Sequence, residues 1–319
     1  MTTLGRYPFT TFPSGWFEVC SIADIPVDGV LPAKICGQDV VVYRRSSDGG
    51  VVVLDAFCPH FGAHLGHGGF VDGDGIRCPF HHWRFGTDGR CDSVPYRDGP
   101  LPSAGVRAWP IAVLSGLVFA HHEPTRADPT WSLETPPELA GDSRWTPLTT
   151  YRWDIRMHCQ EMIENLADTV HFHCVHETPR IPEAVIDVDG PVYRQTMIGI
   201  AEDGTEEYRN EFTAMGLGVL WMLVPSMGIM ALTTATPLDH ETTRFSTHFS
   251  ALQDDPSEPS RHNLERFETI AESVPRDIPI WENRRYPART LLLPEDQNLQ
   301  VGRRWAAQFY PPAARQSTP

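Results

Sequence analysis

Two short cysteine–histidine motifs constrain this chain more than any other feature of its sequence. The first motif is Cys58-Pro59-His60 and the second is Cys78-Pro79-Phe80-His81, with seventeen residues between them. Each motif supplies one sulfur and one nitrogen donor. Glycines crowd the interval between the motifs, as tight turns around a buried group require. Cys58, His60, Cys78 and His81 therefore form a candidate four-ligand metal site held between two loop tips.

The identity of the metal follows from how the donors are distributed. In a Rieske [2Fe–2S] centre two thiolates hold one iron and two imidazoles hold the other. A structural zinc site uses the same donor set, but zinc fingers usually place the cysteines together in one pair and the histidines together in another. Because each loop here is mixed, the spacing favours the [2Fe–2S] centre over zinc.

A second group of possible metal ligands lies between residues 165 and 176. Two histidines and a carboxylate form the facial triad of non-haem Fe(II) sites, which leaves coordination positions open for O2 and substrate. On a regular helix His173 and His176 share a face, whereas His171 and His176 lie about 140° apart. Spacing alone therefore leaves two histidine pairs as alternatives.

The cysteine–histidine loops resemble a known family. CPHFGAHLGHGG and CPFHHWRF, followed by CDSVPY, resemble the loops of Rieske non-haem iron oxygenases, with the closest likeness to the 3-ketosteroid 9α-hydroxylase oxygenases and the sterol 7-desaturases. His82 departs from the resemblance, because glycine is more usual there. The family pattern N-x-x-D-x-x-H-x4-H matches Asn165, Asp168, His171 and His176. It implies that His171 and His176 are the iron ligands and that the helix ends between them.

The third iron ligand is implied by the same resemblance to lie far downstream, just before an aromatic segment. Residues 303–310 resemble that segment, and counting back nine positions from Trp305 gives Asp296 as the ligand. Glu295 is its rival. For Asp296 alone, an acid at a helix N-terminus is the alternative explanation.

The resemblance also assigns roles near the iron. It implies that Asp168 bridges the two metals across a subunit boundary, accepting one hydrogen bond from His171 and another from His60 or His81 of a neighbouring copy. A head-to-tail homotrimer is expected, because such a bridge requires a ring. Asn165 is expected near the iron without ligating it.

The predicted fold class is α+β with two domains. Residues 1–145 are expected to form an all-β Rieske barrel domain with a proline-rich linker. Residues 146–319 are expected to form the catalytic domain, an antiparallel sheet with helices of the helix-grip type. The segment Phe212–Leu238 carries no charge and is long enough to span a bilayer. Val224–Gly228 within it reads as a turn, which favours two buried strands and no membrane span.

Composition excludes several partners and compartments. The net charge of −15 argues against binding to nucleic acid or anionic membranes. The N-terminus lacks a basic segment followed by an apolar run, and five cysteines remain without framework spacing. Both features predict a cytoplasmic protein with free thiols. A G-x-G-x-x-G fingerprint after a strand is absent, so nicotinamide or flavin must bind another chain.

The sequence thus predicts the terminal oxygenase of a Rieske system. Electrons from NAD(P)H would arrive through a ferredoxin reductase, with or without an intermediate ferredoxin. O2 would then be used to hydroxylate or desaturate an unactivated C–H bond of a bulky hydrophobic alicyclic substrate, such as a steroid or polycyclic natural product. An oxidative demethylase of the same family and a Rieske electron carrier without oxygenase activity are the alternatives. The pocket is expected within residues 185–255, where apolar side chains gather at Met215, Trp221, Met222, Met227 and Met230.

Overall fold

The computed structural model describes residues 6–101, 103–140, 144–286 and 290–311. Residue contacts divide the chain into two units. The smaller unit contains residues 17–122 and 126–132, and the larger contains residues 6–16, 123–125 and the described part of 133–311. The N-terminal residues thus pack with the C-terminal unit, although a division by sequence order places them in the first domain. Arg6 shows this directly, because its guanidinium donates to the backbone carbonyls of Trp281 and Arg284.

The smaller unit is built from ten short strands in three antiparallel sheets. The sheets have the orders β1-β10-β9, β2-β3-β4 and β5-β6-β7-β8. The strands are β1 (Gly15–Ser21), β2 (Val30–Ile35), β3 (Gln38–Arg44), β4 (Val51–Asp55), β5 (Phe70–Asp72), β6 (Gly75–Arg77), β7 (Arg84–Phe85), β8 (Cys91–Ser93), β9 (Ile111–Leu114) and β10 (Leu117–His122).

Apolar side chains from β3, β4, β6 and β7 form the core of this unit. Tyr43, Leu54 and Phe85 are fully buried there, and the cysteines of the two motifs belong to the same buried group. Both motif loops are therefore anchored in the hydrophobic core, which gives them a rigid support.

The described residues of the larger unit form a seven-stranded antiparallel sheet and five α-helices. The sheet order is β11-β17-β16-β15-β14-β13-β12. The strands are β11 (Thr149–Ile155), β12 (Glu183–Asp189), β13 (Val192–Ile200), β14 (Glu206–Met215), β15 (Val219–Val224), β16 (Ile229–Pro237) and β17 (Thr243–Ala251). The helices are α1 (Glu161–Ala167), α2 (Thr169–Cys174), α3 (Arg261–Ala271), α4 (Ser273–Asn283) and α5 (Gln297–Ala306).

The uncharged stretch at 212–238 folds as predicted from its turn signal. β15 and β16 are joined by a 3-10 turn over Pro225–Met227, and Gly228 follows it in a left-handed conformation at φ 58°. Among the described residues, no helix is long and apolar enough to cross a membrane.

Candidate metal centres

The two cysteine–histidine loops fold into equivalent turns. The Cys58 carbonyl accepts a hydrogen bond from the Gly62 N–H at 2.9 Å, and the Cys78 carbonyl accepts one from the His82 N–H at 3.1 Å. Gly62 and His82 hold the same left-handed backbone conformation, at φ 73° and φ 57°. This explains why glycine suits position 82, because a side chain with Cβ is strained there. The His82 carbonyl compensates in part by accepting a hydrogen bond from Arg77.

The four predicted donors of these loops come together in the structure. Cys58 and Cys78 are each 2% exposed. The rings of His60 and His81 lie 4.6 Å apart between centroids, and His60 stacks on Trp83 at 4.5 Å. The Nδ1 atom of His60 is buried and has no hydrogen-bond partner among the described residues. A buried nitrogen acceptor without a donor is what a metal ion would satisfy, so the residues present fit a [2Fe–2S] centre.

Burial also changes the acidity of the Cys58 thiol. It raises the pKa of the Cys58 thiol to about 11, although the backbone N–H groups of His60 and Phe61 oppose the shift. Thiolate is the form that binds iron, so metal binding must displace a proton from this site.

A helix break at Asp168 positions the second group of ligands. Asp168 leaves the helical conformation at ψ 87° and separates α1 from α2. Its carboxylate Oδ1 accepts hydrogen bonds from the N–H groups of Val170 and His171, at 3.1 and 3.2 Å, and so caps α2. α2 then ends at Cys174, between the two predicted histidine ligands. That end was expected from the sequence, and it lets both rings face the same point.

The structure brings His171, His176 and Asp277 together. One ligand atom from each lies within 4.8 Å of the others. The Nδ1 of His171 donates to the Asp168 backbone carbonyl, which leaves Nε2 as the free lone-pair donor. This Nε2 is buried without a partner among the described residues. Burial lowers the pKa of His171 and favours the neutral, metal-binding imidazole. The three side chains fit the two-histidine, one-carboxylate donor set.

The carboxylate that the structure brings to this group is Asp277, whereas the predicted Asp296 lies elsewhere. Asp277 lies on α4, is 5% exposed, and places Oδ2 3.3 Å from His176 Nε2. Asp296 ends a 3-10 turn instead, where its carboxylate accepts a hydrogen bond from the Leu293 N–H at 2.9 Å. It therefore has the local role of an acid at a helix start. Glu295, the rival, is exposed.

Three other predictions concern residues around this group. Asn165 lies beside the carboxylate, with Nδ2 3.5 Å from Asp277 Oδ2. His173 is exposed and points away, with its ring bonded to the Thr178 carbonyl. For Asp168, the expected hydrogen bond from the His171 ring goes to its backbone carbonyl, whereas its carboxylate binds backbone N–H groups. Both of those bonds go to Oδ1, and Oδ2 accepts none from the described residues.

A cavity of about 490 Å³ opens beside the three ligands. His176 and Asp277 form part of its wall. The inward face of strands β13–β17 forms about half of the rest, and helices α1–α4 with the turn at Met227 form the other half. Met222 and Met227 line it as predicted, but Met215, Trp221 and Met230 do not. Side chains alternate across a strand, and Trp221 on β15 and Met215 on β14 belong to the opposite face of the sheet, where they line a separate groove.

A buried ionic network supports the helix that carries Asn165. Glu164, 2% exposed, receives two hydrogen bonds from the Arg303 guanidinium at 2.9 and 3.1 Å, and one from the Tyr286 hydroxyl at 2.7 Å. These bonds join α1 to α5. Arg284 lies between Glu164 and Glu161, at 3.3 and 2.8 Å. Sequence reasoning missed this network, because the two glutamates lie more than a hundred positions before the arginines and the tyrosine that bind them.

Comparisons with known proteins assign a family to each part of the chain. The Rieske [2Fe-2S] domain family matches residues 15–110, and the 3-ketosteroid 9alpha-hydroxylase C-terminal domain family matches residues 120–310. An oxygenase component of 3-ketosteroid-9-alpha-monooxygenase from Rhodococcus rhodochrous is 32% identical, over 94% of this chain and 80% of the relative. Cholesterol 7-desaturase nvd from Xenopus laevis is 28% identical, over 94% of this chain and 72% of the relative.

Solved structures share the fold at lower identity. NdmA from Pseudomonas putida CBB5 with caffeine superposes with a TM-score of 0.74 at 21% identity, covering 95% of this chain and 94% of NdmA. Dicamba monooxygenase bound to dicamba gives a TM-score of 0.75 at 18% identity, covering 96% of this chain and 98% of the other. With two matching domain families and both ligand sets in place, the chain belongs to the Rieske non-haem iron oxygenases of the 3-ketosteroid 9α-hydroxylase family, as an oxygenase component that depends on a separate reductase.

Proposed function

We propose that this oxygenase hydroxylates or desaturates an unactivated C–H bond of a bulky alicyclic substrate, such as a steroid or a polycyclic natural product. The observation that carries the proposal is the position of His176 and Asp277 in the wall of a largely apolar cavity of about 490 Å³. That volume falls within the range of small-molecule sites, and an apolar wall suits a substrate with few polar atoms. The printed names of two relatives, a ketosteroid monooxygenase and a cholesterol desaturase, support the same substrate class.

The overall reactions balance with two electrons and two protons. Hydroxylation converts R–H, O2, two electrons and two protons into R–OH and water. Desaturation converts a saturated carbon pair with the same co-reactants into an alkene and two waters. NAD(P)H supplies the electrons through the reductase. When bound by the three side chains, the mononuclear iron supplies O2 activation, with electrons from the [2Fe–2S] centre.

The protein's own side chains orient the site for this reaction. His171, His176 and Asp277 would hold the iron, and the cavity beside them would admit O2 and substrate. The hydrogen bond from His171 Nδ1 to the Asp168 carbonyl fixes the tautomer of that ring. The contact from Asn165 orients the Asp277 carboxylate. The apolar wall excludes water around the reacting carbon.

Asp168 is proposed to link the two metal sites across a subunit boundary. Its free Oδ2 supports this role, since it can accept a hydrogen bond from a histidine of another copy. A homotrimer is part of the same proposal, because each copy would give one site and receive another. A cytoplasmic location is also proposed. Its support is that the seven cysteines, which all lie within the described residues, form no disulfide.

The test is a single turnover of protein purified without oxygen. Dithionite-reduced protein is mixed with O2 and a panel of steroids and polycyclic terpenoids, and products are identified by mass spectrometry. A gain of one oxygen from labelled O2 indicates hydroxylation, and a loss of two hydrogens indicates desaturation. His171→Ala should abolish product, whereas His173→Ala, a matched change at an exposed histidine, should not. Absence of any product from a protein with full iron content would refute the proposed substrate class.

A further inference from the structure

One polar side chain stands out on the sheet wall of the cavity. On β14 the inward positions alternate as Tyr208, Asn210, Phe212 and Ala214. Asn210 is flanked by aromatic residues on its own strand and by Met197 across the strand pair. An apolar residue would be buried there at lower cost, because a carboxamide must lose its water.

The carboxamide oxygen of Asn210 also lacks a partner in the part of the chain that the structure describes. Its Oδ1 is buried and makes no hydrogen bond among the described residues. Two other pairs of polar side chains in the cavity bond within the protein: Thr233 pairs with Thr247, and Asn165 with Asp277. A buried polar atom without a partner requires an explanation. In a cavity of this size, the simplest partner is a bound molecule.

We propose that Asn210 is a specificity-determining residue that hydrogen-bonds an oxygen function of the substrate, a ketone or a hydroxyl. This inference rests on the proposed function and adds a chemical requirement to it. A carboxamide offers both a donor and an acceptor, and rotation about χ2 exchanges them. It can therefore donate to a ketone oxygen or accept from a hydroxyl. The rest of the wall then contacts the hydrocarbon skeleton without directional preference.

Such a contact would orient the substrate in addition to selecting it. His176 lies in the loop after α2 and Asp277 lies on α4, whereas Asn210 lies on the sheet. The candidate iron ligands and the polar contact therefore stand on different walls of the same cavity. A few well-placed polar groups fix the orientation of a ligand in an otherwise apolar pocket. A molecule held by its oxygen function at Asn210 would present a defined region of its skeleton to the iron site.

The test compares three probes of one skeleton: a saturated tetracyclic steroid ketone, the alcohol made by reducing it, and the parent hydrocarbon. Affinity is measured on the intact enzyme from the change in total tryptophan fluorescence on binding, to which Trp281 in the cavity wall contributes. Turnover of each probe is measured separately. Wild-type protein should bind the ketone or the alcohol about tenfold more tightly than the hydrocarbon, as one hydrogen bond allows. Asn210→Leu, of similar size, should bring that ratio close to one.

Met197→Leu is the matched control, since it alters the neighbouring wall position without changing polarity. It should change the affinity for all three probes alike and preserve their ratio. Equal affinities in wild-type protein, or an unchanged ratio in Asn210→Leu, would overturn the role of Asn210. A wild-type protein that discriminates among the probes but oxidises none of a wider panel would count against the proposed function and leave the Asn210 contact standing.

Discussion

Replacing Asp277 by asparagine should remove the mononuclear iron and leave the [2Fe–2S] centre in place. The side chain keeps its shape but loses the anionic oxygen that completes the group with His171 and His176. Asparagine can still accept the hydrogen bond from Asn165, so the local packing is conserved. The cluster donors belong to the smaller unit, so the change should not affect them.

The size of the effect follows from the role of this carboxylate. Removing an outer partner of a metal ligand already lowers metal affinity about 10–100-fold. Loss of the only carboxylate in the group, at a position 5% exposed, should cost at least about a hundredfold. At a free Fe(II) concentration about ten times the wild-type Kd, occupancy would then fall from about 0.9 to about 0.09.

The assay is iron per chain by elemental analysis, together with EPR of the reduced protein. Wild type should contain about three irons and the variant about two, with the Rieske signal unchanged. Asp296→Asn is the matched control. It weakens one hydrogen bond to the Leu293 N–H, costing about 0.5–1.5 kcal/mol of stability, and should keep all three irons. Retention of the third iron by Asp277→Asn, or its loss in Asp296→Asn, would refute the assignment.

Three further changes test other parts of the structure. Asp168→Asn retains the Oδ1 that caps α2, so both metals should stay bound. The amount of product formed per NAD(P)H consumed should fall at least about tenfold. An unchanged ratio of product to NAD(P)H would remove Asp168 from the electron path. His82→Gly relieves a left-handed backbone and should raise the free energy of unfolding by about 1 kcal/mol in denaturant titrations; a decrease would mean that the ring contact with Phe70 matters more. Burial raises the pKa of Glu161 to about 7 from an ordinary 4.5. Between these pH values the folded state holds a proton that the unfolded chain releases, so the free energy of unfolding falls as pH rises. Glu161→Gln should lose that dependence, and melting curves of the two proteins that differ by the same amount at pH 5 and pH 8 would contradict it.

Local signals in the sequence predicted much of the fold. The turn at Val224–Gly228 appears within one residue of its expected position. Met162, Ile163 and Leu166 stand at helical packing spacing, which predicts the helix observed at Glu161–Ala167. Pro275 predicts an interruption in the helical stretch 261–285, and the structure places that interruption at Glu272, between α3 and α4. These features depend on turn chemistry and on short-range periodicity, which a single sequence contains.

The third iron ligand could not be reached by the same reasoning. Counting back from an aromatic segment selected Asp296. The count took no account of which acidic residues lie on the buried face of a helix. On α4, Asp277 lies four residues before Trp281, and both are buried. An acid on the apolar side of a helix needs a partner, and that signal was available in the sequence. Its proximity to His171 and His176 depends on long-range packing, which periodicity does not report.

The positions of the three candidate iron ligands along the chain have a consequence for the degradation of the protein. His176 and Asp277 are about a hundred residues apart, and strands β12–β17 all lie between them. An ion bound to both closes this loop as a reversible cross-link. For a covalent link of that length, the chain-entropy argument gives about 4.7 kcal/mol. Loss of iron would therefore loosen α4 and expose it to proteases, so that a chain depleted of metal would be degraded and would not accumulate as inactive enzyme.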